Sequence, residues 1–298
     1  MAGTITTTSA ACHVPEYWST KTRDAVEAAV VAVGLVDQTH AAKLKGGPGD
    51  IMNIPYISNP SASTRTQNAN ISLEVIGPSA AEASQSFSVG THQYVAFGVE
   101  NPTEVQSQTD MMAKYSGKAG YVLAAAAETN LHTLPQSFSQ TQGTLGVEPT
   151  DDNWLDASQQ LDNALADFEG RFIIVRPATY YSLLKSDKYI RSDYIGAADA
   201  GKAVKEAYVG KLYRAGIHVT TLVRAAATGQ ADNWFCHPLG VYYCSQQLKT
   251  NSQLVIERDS EVFLATHMYG YAEALQPPIT AGGGTATDVF NVVVYGTS

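Results

Sequence analysis

Charge is what this sequence has least of. Asp, Glu, Lys and Arg make up 16% of 298 residues, against the usual ~25%. A small charged surface fits a chain whose outside is largely covered by partners. Basic residues number 19 against 28 acidic ones, a net charge of −9. No run of Lys and Arg interleaves with aromatics. That argues against tight, sequence-independent gripping of nucleic acid, which needs cations to displace counterions; nucleic acid nearby would be enclosed instead. Cysteine is also scarce. Cys12, Cys236 and Cys244 form an odd set without paired spacing, which fits a reducing compartment better than a disulfide scaffold. The opening MAGTITTTSAACHV has neither the basic region nor the apolar core of a signal peptide. The most apolar stretch, 25–36, carries Glu27 and Gly34 and is too short to span a bilayer. A soluble protein is expected.

Catalytic patterns are equally thin. Gly196 to Ala203 (GAADAGKA) approximates a phosphate-binding loop, but Ala203 stands where a hydroxyl after Lys202 would hold magnesium. Arg191, Ser192 and Asp193 interrupt the strand such a loop needs, so a glycine-rich loop is the expectation. Ser116-Gly117 lacks the upstream glycine of a nucleophile elbow. Cys236 and His237 are adjacent, and the Cys236-to-Cys244 spacing fits no zinc template. Asp151-Asp152 and Asp259 with Glu261 lie in turn-like sequence, where solvated charge is the default. No catalytic residue, cofactor or metal is expected.

What the sequence has is a long capped helix. Over 101–134, Asn101 can cap, Pro102 suits the first turn, and Glu104 can complete a capping box. Val105, Met112, Tyr115, Ala119, Val122 and Ala126 recur at steps of four and three, predicting one apolar seam. Pro135 stops the run, which would be roughly 50 Å long at ~1.5 Å per residue. Gly117 and Gly120 each cost about 1 kcal/mol there, so packing must hold the helix. The natural role is a spine.

Before it, 1–14 reads as an arm and 15–33 as a helix with Trp18, Val26, Ala29, Val30 and Val33 inward, stopped by Gly34. After Lys43, Lys45 and the Gly46–Gly49 turn, 49–58 reads as a strand that Pro55 confines to an edge. Residues 59–70 are a polar loop tip, and 71–77 and 86–100 return as strands. Together, 45–98 forms an extended two-stranded excursion too poor in apolar residues for its own core. Isolated hairpins are marginal in water, so it should rest on another molecule. Beyond the spine, 136–153 reads as loop and 154–168 as a helix with Leu155, Leu161, Leu165 and Phe168 on its apolar side. Residues 171–176 form a buried strand, and Pro177 opens a helix. Residues 190–203 form a loop; 208–223, 235–246, 253–259 and 261–275 are strands with a short helix; 288–296 is a last strand after Gly282–Gly284.

This order resembles a known family. Gly49-Asp50-Ile51 with Ile54-Pro55, then a long hairpin, a capped spine, Gly170-Arg171 and Pro177-Ala-Thr-Tyr180 together resemble the major capsid proteins of tailed bacteriophages. The resemblance implies an α+β, Hong Kong 97-type fold. Its parts would be an N-terminal arm and helix at 1–40, an E-loop at 45–98, a P-domain at 99–136 and 251–276, an A-domain at 137–250 and a C-terminal strand at 277–298. It implies pentamers and hexamers in an icosahedral shell enclosing double-stranded DNA, with portal and decoration proteins as partners. The first helix begins near residue 15, so a scaffold would be a separate protein. No membrane is involved. The resemblance places the protein in the virion capsid, assembled in the host cytoplasm. Candidate inter-subunit contacts are Trp18, Lys45, Asp50, Arg65, Glu74, Arg191 and Asp193, since Trp and desolvated Arg favour hot spots. Rival readings are an encapsulin-like compartment, a tail or neck protein and, from another class, a nucleotide-binding enzyme using Lys202.

Overall fold

A computed structural model describes residues 27–28, 30–40, 51–57, 62–71, 82–100, 111–186, 211–225, 229–275 and 290–297. Its centre is a six-stranded mixed sheet in the order β4-β11-β8-β5-β7-β6. These strands are β4 (Gln140–Gln142), β5 (Phe172–Val175), β6 (Lys211–Leu212), β7 (Ala215–Val219), β8 (Ala231–Cys236) and β11 (Asn291–Gly296). Alternation along a strand sends neighbouring side chains to opposite faces, and here both faces are covered. Ile173, Val175, Phe235, Val292 and Val294 pack under the helix Asp151–Asn163 through Trp154, Ala157 and Leu161. Phe172, Ile174, Trp234, Cys236 and Val293 cluster with Ala127 and Leu131 of the spine helix. Burying a side chain of this size contributes roughly 1.5–3 kcal/mol, so most of the fold's stability lies around this sheet.

A second sheet, β3-β10-β9, pairs β3 (Thr91–Glu100), β10 (Ser260–Glu273) and β9 (Val241–Val255), all antiparallel. β9 and β10 are long enough to reach from this sheet to the central one. Their register shifts between Met268 and Tyr269. The third sheet is a hairpin of β1 (Ile51–Ile57) and β2 (Glu82–Ser88), with Ile51 opposite Ser88 and Ile57 opposite Glu82. Pro55 sits in this two-stranded ribbon, as a proline in a strand requires. β3 directly follows β2 yet belongs to the second sheet, so the strand pairing of the excursion ends at Ser88.

Several expectations are corrected. The described spine helix is Met111–Leu131; Asn101, Pro102, Glu104 and Val105 lie outside the described residues. Its buried stripe is Ala119, Leu123, Ala127, Glu128 and Leu131, whereas Tyr115 and Val122 are about half exposed, at 51% and 49%. Pro135 falls in a short 3-10 turn, Leu134–Gln136, after the helix has ended. The expected helix to Val33 is replaced by non-helical chain at Glu27, Ala28, Val30 and Val31, then one helical turn, Ala32–Leu35, that contains Gly34 instead of stopping at it. Trp18, Val26 and Ala29 lie outside the described residues. The helix Asp151–Asn163 starts earlier than expected, because Thr150 and Asn153 form a reciprocal cap. Asp151 and Asp152 therefore sit in a helical first turn, where their charge favours the helix dipole. Leu155, Leu165 and Phe168 are exposed, and only Leu161 of the four named apolar positions is buried. Residues 260–273 form one strand, and short 3-10 turns lie at Pro238–Gly240 and Ile256–Arg258. No helix among the described residues is long and apolar enough to cross a membrane.

Candidate assembly site

Two features stand apart from the packed centre: the hairpin and the N-terminal segment lying on the spine. Among the described residues, the hairpin is anchored at its base. Met52 and Phe87 join Val89, Cys244 and the partly buried Tyr242, Met268 and Ala272 in a small cluster. Phe87 stacks on Tyr242 at 6.1 Å. The Gln85 amide bridges the last residue of β10 and the chain just after it: its Nε2 donates to the Glu273 carbonyl, and its Oε1 accepts from the Leu275 N–H at 2.9 Å. Gly270 supplies the clearance this seat needs. A Cβ there would lie 2.4 Å from the Ser88 carbonyl oxygen and 2.8 Å from the Val89 Cα, closer than side chains tolerate.

Further out, support disappears. Every residue from Ala62 to Ile71 is exposed, Ile71 by 70%. The segment is closed by local bonds: Ala69 N–H to the Thr66 carbonyl at 3.1 Å and Arg65 Nε to the Ala69 carbonyl at 3.2 Å. Asn68 takes the left-handed φ of 66° that Asn tolerates in turns. This loop is ordered by its own backbone and packed against nothing described.

On the spine, one face receives the N-terminal segment. Lys118 pairs with Glu27, and the Tyr121 hydroxyl accepts from the Ala28 N–H at 2.8 Å. Glu128 accepts from the N–H groups of Val31, Ala32 and Val33 at 2.8, 2.6 and 3.0 Å. Glu128 is fully buried. Burial pushes its carboxyl up, but the neighbouring His132 and the Ala32, Val31 and Val33 N–H groups outweigh that and hold it below the ordinary 4.5. His132 Nε2 lies 3.4 Å from Glu128 Oε1, a charge-scale contact without hydrogen-bond alignment. The imidazole also meets the Trp234 ring edge-on at 5.2 Å. Downstream, Asp37 pairs its backbone with Pro238, Val241 and Tyr243, fixing the segment's far end.

Of the seven predicted contact residues, Arg65 alone falls among the described residues, exposed on the hairpin loop. Trp18, Lys45, Asp50, Glu74, Arg191 and Asp193 lie outside them, as does the Gly196–Ala203 stretch with Lys202. Sequence reasoning missed Gln85, Glu128, His132 and Gly270. Glu128 did carry a signal: it is the lone acid of Met111–Leu131, in the Ala-rich second half and four residues before a histidine. Among the described residues no group of three or more His, Cys, Asp or Glu could hold a metal ion. Cys236 and Cys244 are both buried.

No family model matches the chain, and no curated protein matches it. Solved structures do. A chain of Mycobacterium phage Che8 superposes with a TM-score of 0.75 at 19% identity, over 94% of this chain and 96% of its own. The capsid structure of cyanophage P-SCSP1u gives 0.75 at 14% identity, over 94% and 92%. The mature capsid of bacteriophage PhiM1 gives 0.68 at 15% identity, over 94% and 92%. Likeness at such low identity over nearly the full length of both partners is a likeness of architecture. The chain has the α+β fold of these bacteriophage capsid structures, the Hong Kong 97-type fold expected from its order of elements.

Proposed function

We propose that this protein is the major capsid subunit of a tailed double-stranded DNA phage, and that copies of it assemble as pentamers and hexamers into a closed icosahedral shell around the genome. The observation that carries this reading is the hairpin loop 62–71, exposed throughout and unsupported, on a chain whose fold matches capsid structures over 94% of its length. An element without its own core is satisfied by a neighbour, and a repeated interface of this kind closes into a symmetric shell. Modest individual contacts suffice, because many act together. The net charge of −9 suits a container that encloses DNA without gripping it.

In this reading the protein resides in the virion capsid after assembly in the host cytoplasm. A separate scaffolding protein, a portal protein and a decoration protein are its partners. Trp18, Lys45, Asp50, Arg65, Glu74, Arg191 and Asp193 are the proposed contacts between subunits. The function is mechanical and has no catalytic step.

Deleting residues 60–69 tests the role of the hairpin. The variant is expected to keep the wild-type circular dichroism spectrum and thermal midpoint while its yield of shells, measured by sedimentation, falls at least tenfold. Wild-type shell yield from the deletion would remove the hairpin from the assembly mechanism.

A further inference from the structure

The N-terminal segment is held on the spine helix by a lock that differs from the contacts elsewhere in the fold. Its bonds from 27 to 33 are hydrogen bonds and one surface ion pair, and three of them converge on the single carboxylate of Glu128. Oε1 accepts from Val31 and Ala32, and Oε2 from Val33. Both oxygens are therefore committed as acceptors. A proton on either one turns an acceptor into a donor facing N–H groups, and at least one of the three bonds is lost. A buried N–H left unpaired carries an uncompensated desolvation cost. That is large for a segment whose described apolar anchors are few: Ala32 and Val36 buried, with Val33 and Leu35 packed at the edge of the cluster.

We infer that residues 27–36 form a strap that acid releases from the spine helix, with Glu128 as its lock, while the central sheet stays folded. His132 is the titratable neighbour on the same helix; it is buried with Nε2 3.4 Å from the Glu128 carboxylate, and neither ring nitrogen has a hydrogen-bond partner. From β9 and β10 come Tyr243 and Tyr269, stacked at 6.1 Å. Burial first, and the Glu128 charge among other neighbours, push the Tyr243 hydroxyl up, so it stays neutral throughout the acid range. β8 contributes the uncharged Trp234 ring. The strap's own charge, Glu27, is engaged by Lys118 at the other end.

The direction with pH follows from linkage. The Glu128 carboxyl is held below its ordinary 4.5 in the folded state. Its contribution is therefore fully present above that value and is lost as pH falls through the lower, folded one. Release then uncovers the helix face carrying Lys118, Tyr121 and Glu128.

Amide hydrogen exchange on the full-length chain tests the proposal, with protection factors corrected for intrinsic rates. Between pH 6 and pH 3.5, protection at residues 30–36 is expected to fall at least tenfold while 172–175, 231–236 and 291–296 stay protected. Glu128→Gln, whose amide group places a donor against the same N–H groups, should reproduce the acid pattern at pH 7. If that variant fails to fold, the wild-type pH series alone decides. Full protection of 30–36 in folded Glu128→Gln would overturn the proposal, as would loss of the strap only together with the central strands.

Discussion

At the residue scale, the most informative side chains are polar ones inside the core, because the sequence hides what they do. Asn233 is completely buried in β8. Its Oδ1 accepts from the Arg176 N–H at 3.2 Å, and its Nδ2 donates to the Val294 carbonyl at 3.1 Å and Thr179 Oγ1 at 3.3 Å. It thereby ties the end of β5 and the following helix, Pro177–Lys185, to the central sheet. Asp232 beside it pairs with Arg224 at 2.6 Å. The expected strand begins only at Phe235, whereas β8 spans Ala231–Cys236. A periodicity argument weighs side-chain polarity, whereas burial here depends on whether each polar atom finds a partner. Asn233→Ala should leave buried donors and acceptors unpaired and lower the unfolding free energy by about 1–3 kcal/mol. An unchanged urea midpoint would show that Asn233 does not hold these elements together.

Among the elements, strongly patterned segments were legible and weakly contrasted ones were not. FIIV at 172–175 is a continuous apolar run and is a strand buried along its whole length, as strands covered on both faces are. Pro177 opens a helix as expected. The spine was recognised as a helix, but its face was misjudged. The seam through Met112, Tyr115, Ala119, Val122 and Ala126 follows a narrow heptad-like line. The buried line instead steps by four, through Ala119, Leu123, Ala127 and Leu131. An alanine-rich stretch offers little contrast between faces, so the contacts of the last three turns with the central sheet decide which one is buried. Tyr115 lies outside that region and touches only the second sheet in the described contacts, through Phe97 at 5.8 Å. That the spine is a helix could be read from sequence; the polar face that receives the strap could not, because its partner is backbone, which has no letter.

The hairpin's seat is also an element-scale feature. Its direction is fixed where Ser88 and Val89 cross β10 at Gly270, and Gln85 holds the adjacent strand to Glu273 and Leu275. A methyl group at 270 must push the crossing chain away, and overpacking of this kind costs roughly 1–3 kcal/mol. Gly270→Ala is therefore expected to lower the thermal midpoint and to reduce shell yield further than that loss of stability accounts for, because the hairpin is re-aimed. A variant of lower stability with normal shell yield would show that hairpin direction is not critical.

For the whole molecule, low charge, an exposed hairpin loop and a core concentrated around one sheet are the features on which the proposed assembly rests. The fold covers nearly the full length of solved phage chains at 10–19% identity. Conservation of architecture without conservation of residues is what core packing permits, since cores tolerate extensive hydrophobic substitution if volume and pattern are kept. The order of elements was therefore readable from sequence, while individual contacts between subunits depend on surfaces that only the assembly brings together.

The central claim is assembly, and it is tested most directly by negative-stain electron microscopy with light scattering on the full-length protein co-expressed with its neighbouring genes. Closed hollow shells tens of nanometres across are the predicted result. A stable monomer with every neighbour present, or open tubes and rings in place of shells, would contradict the account.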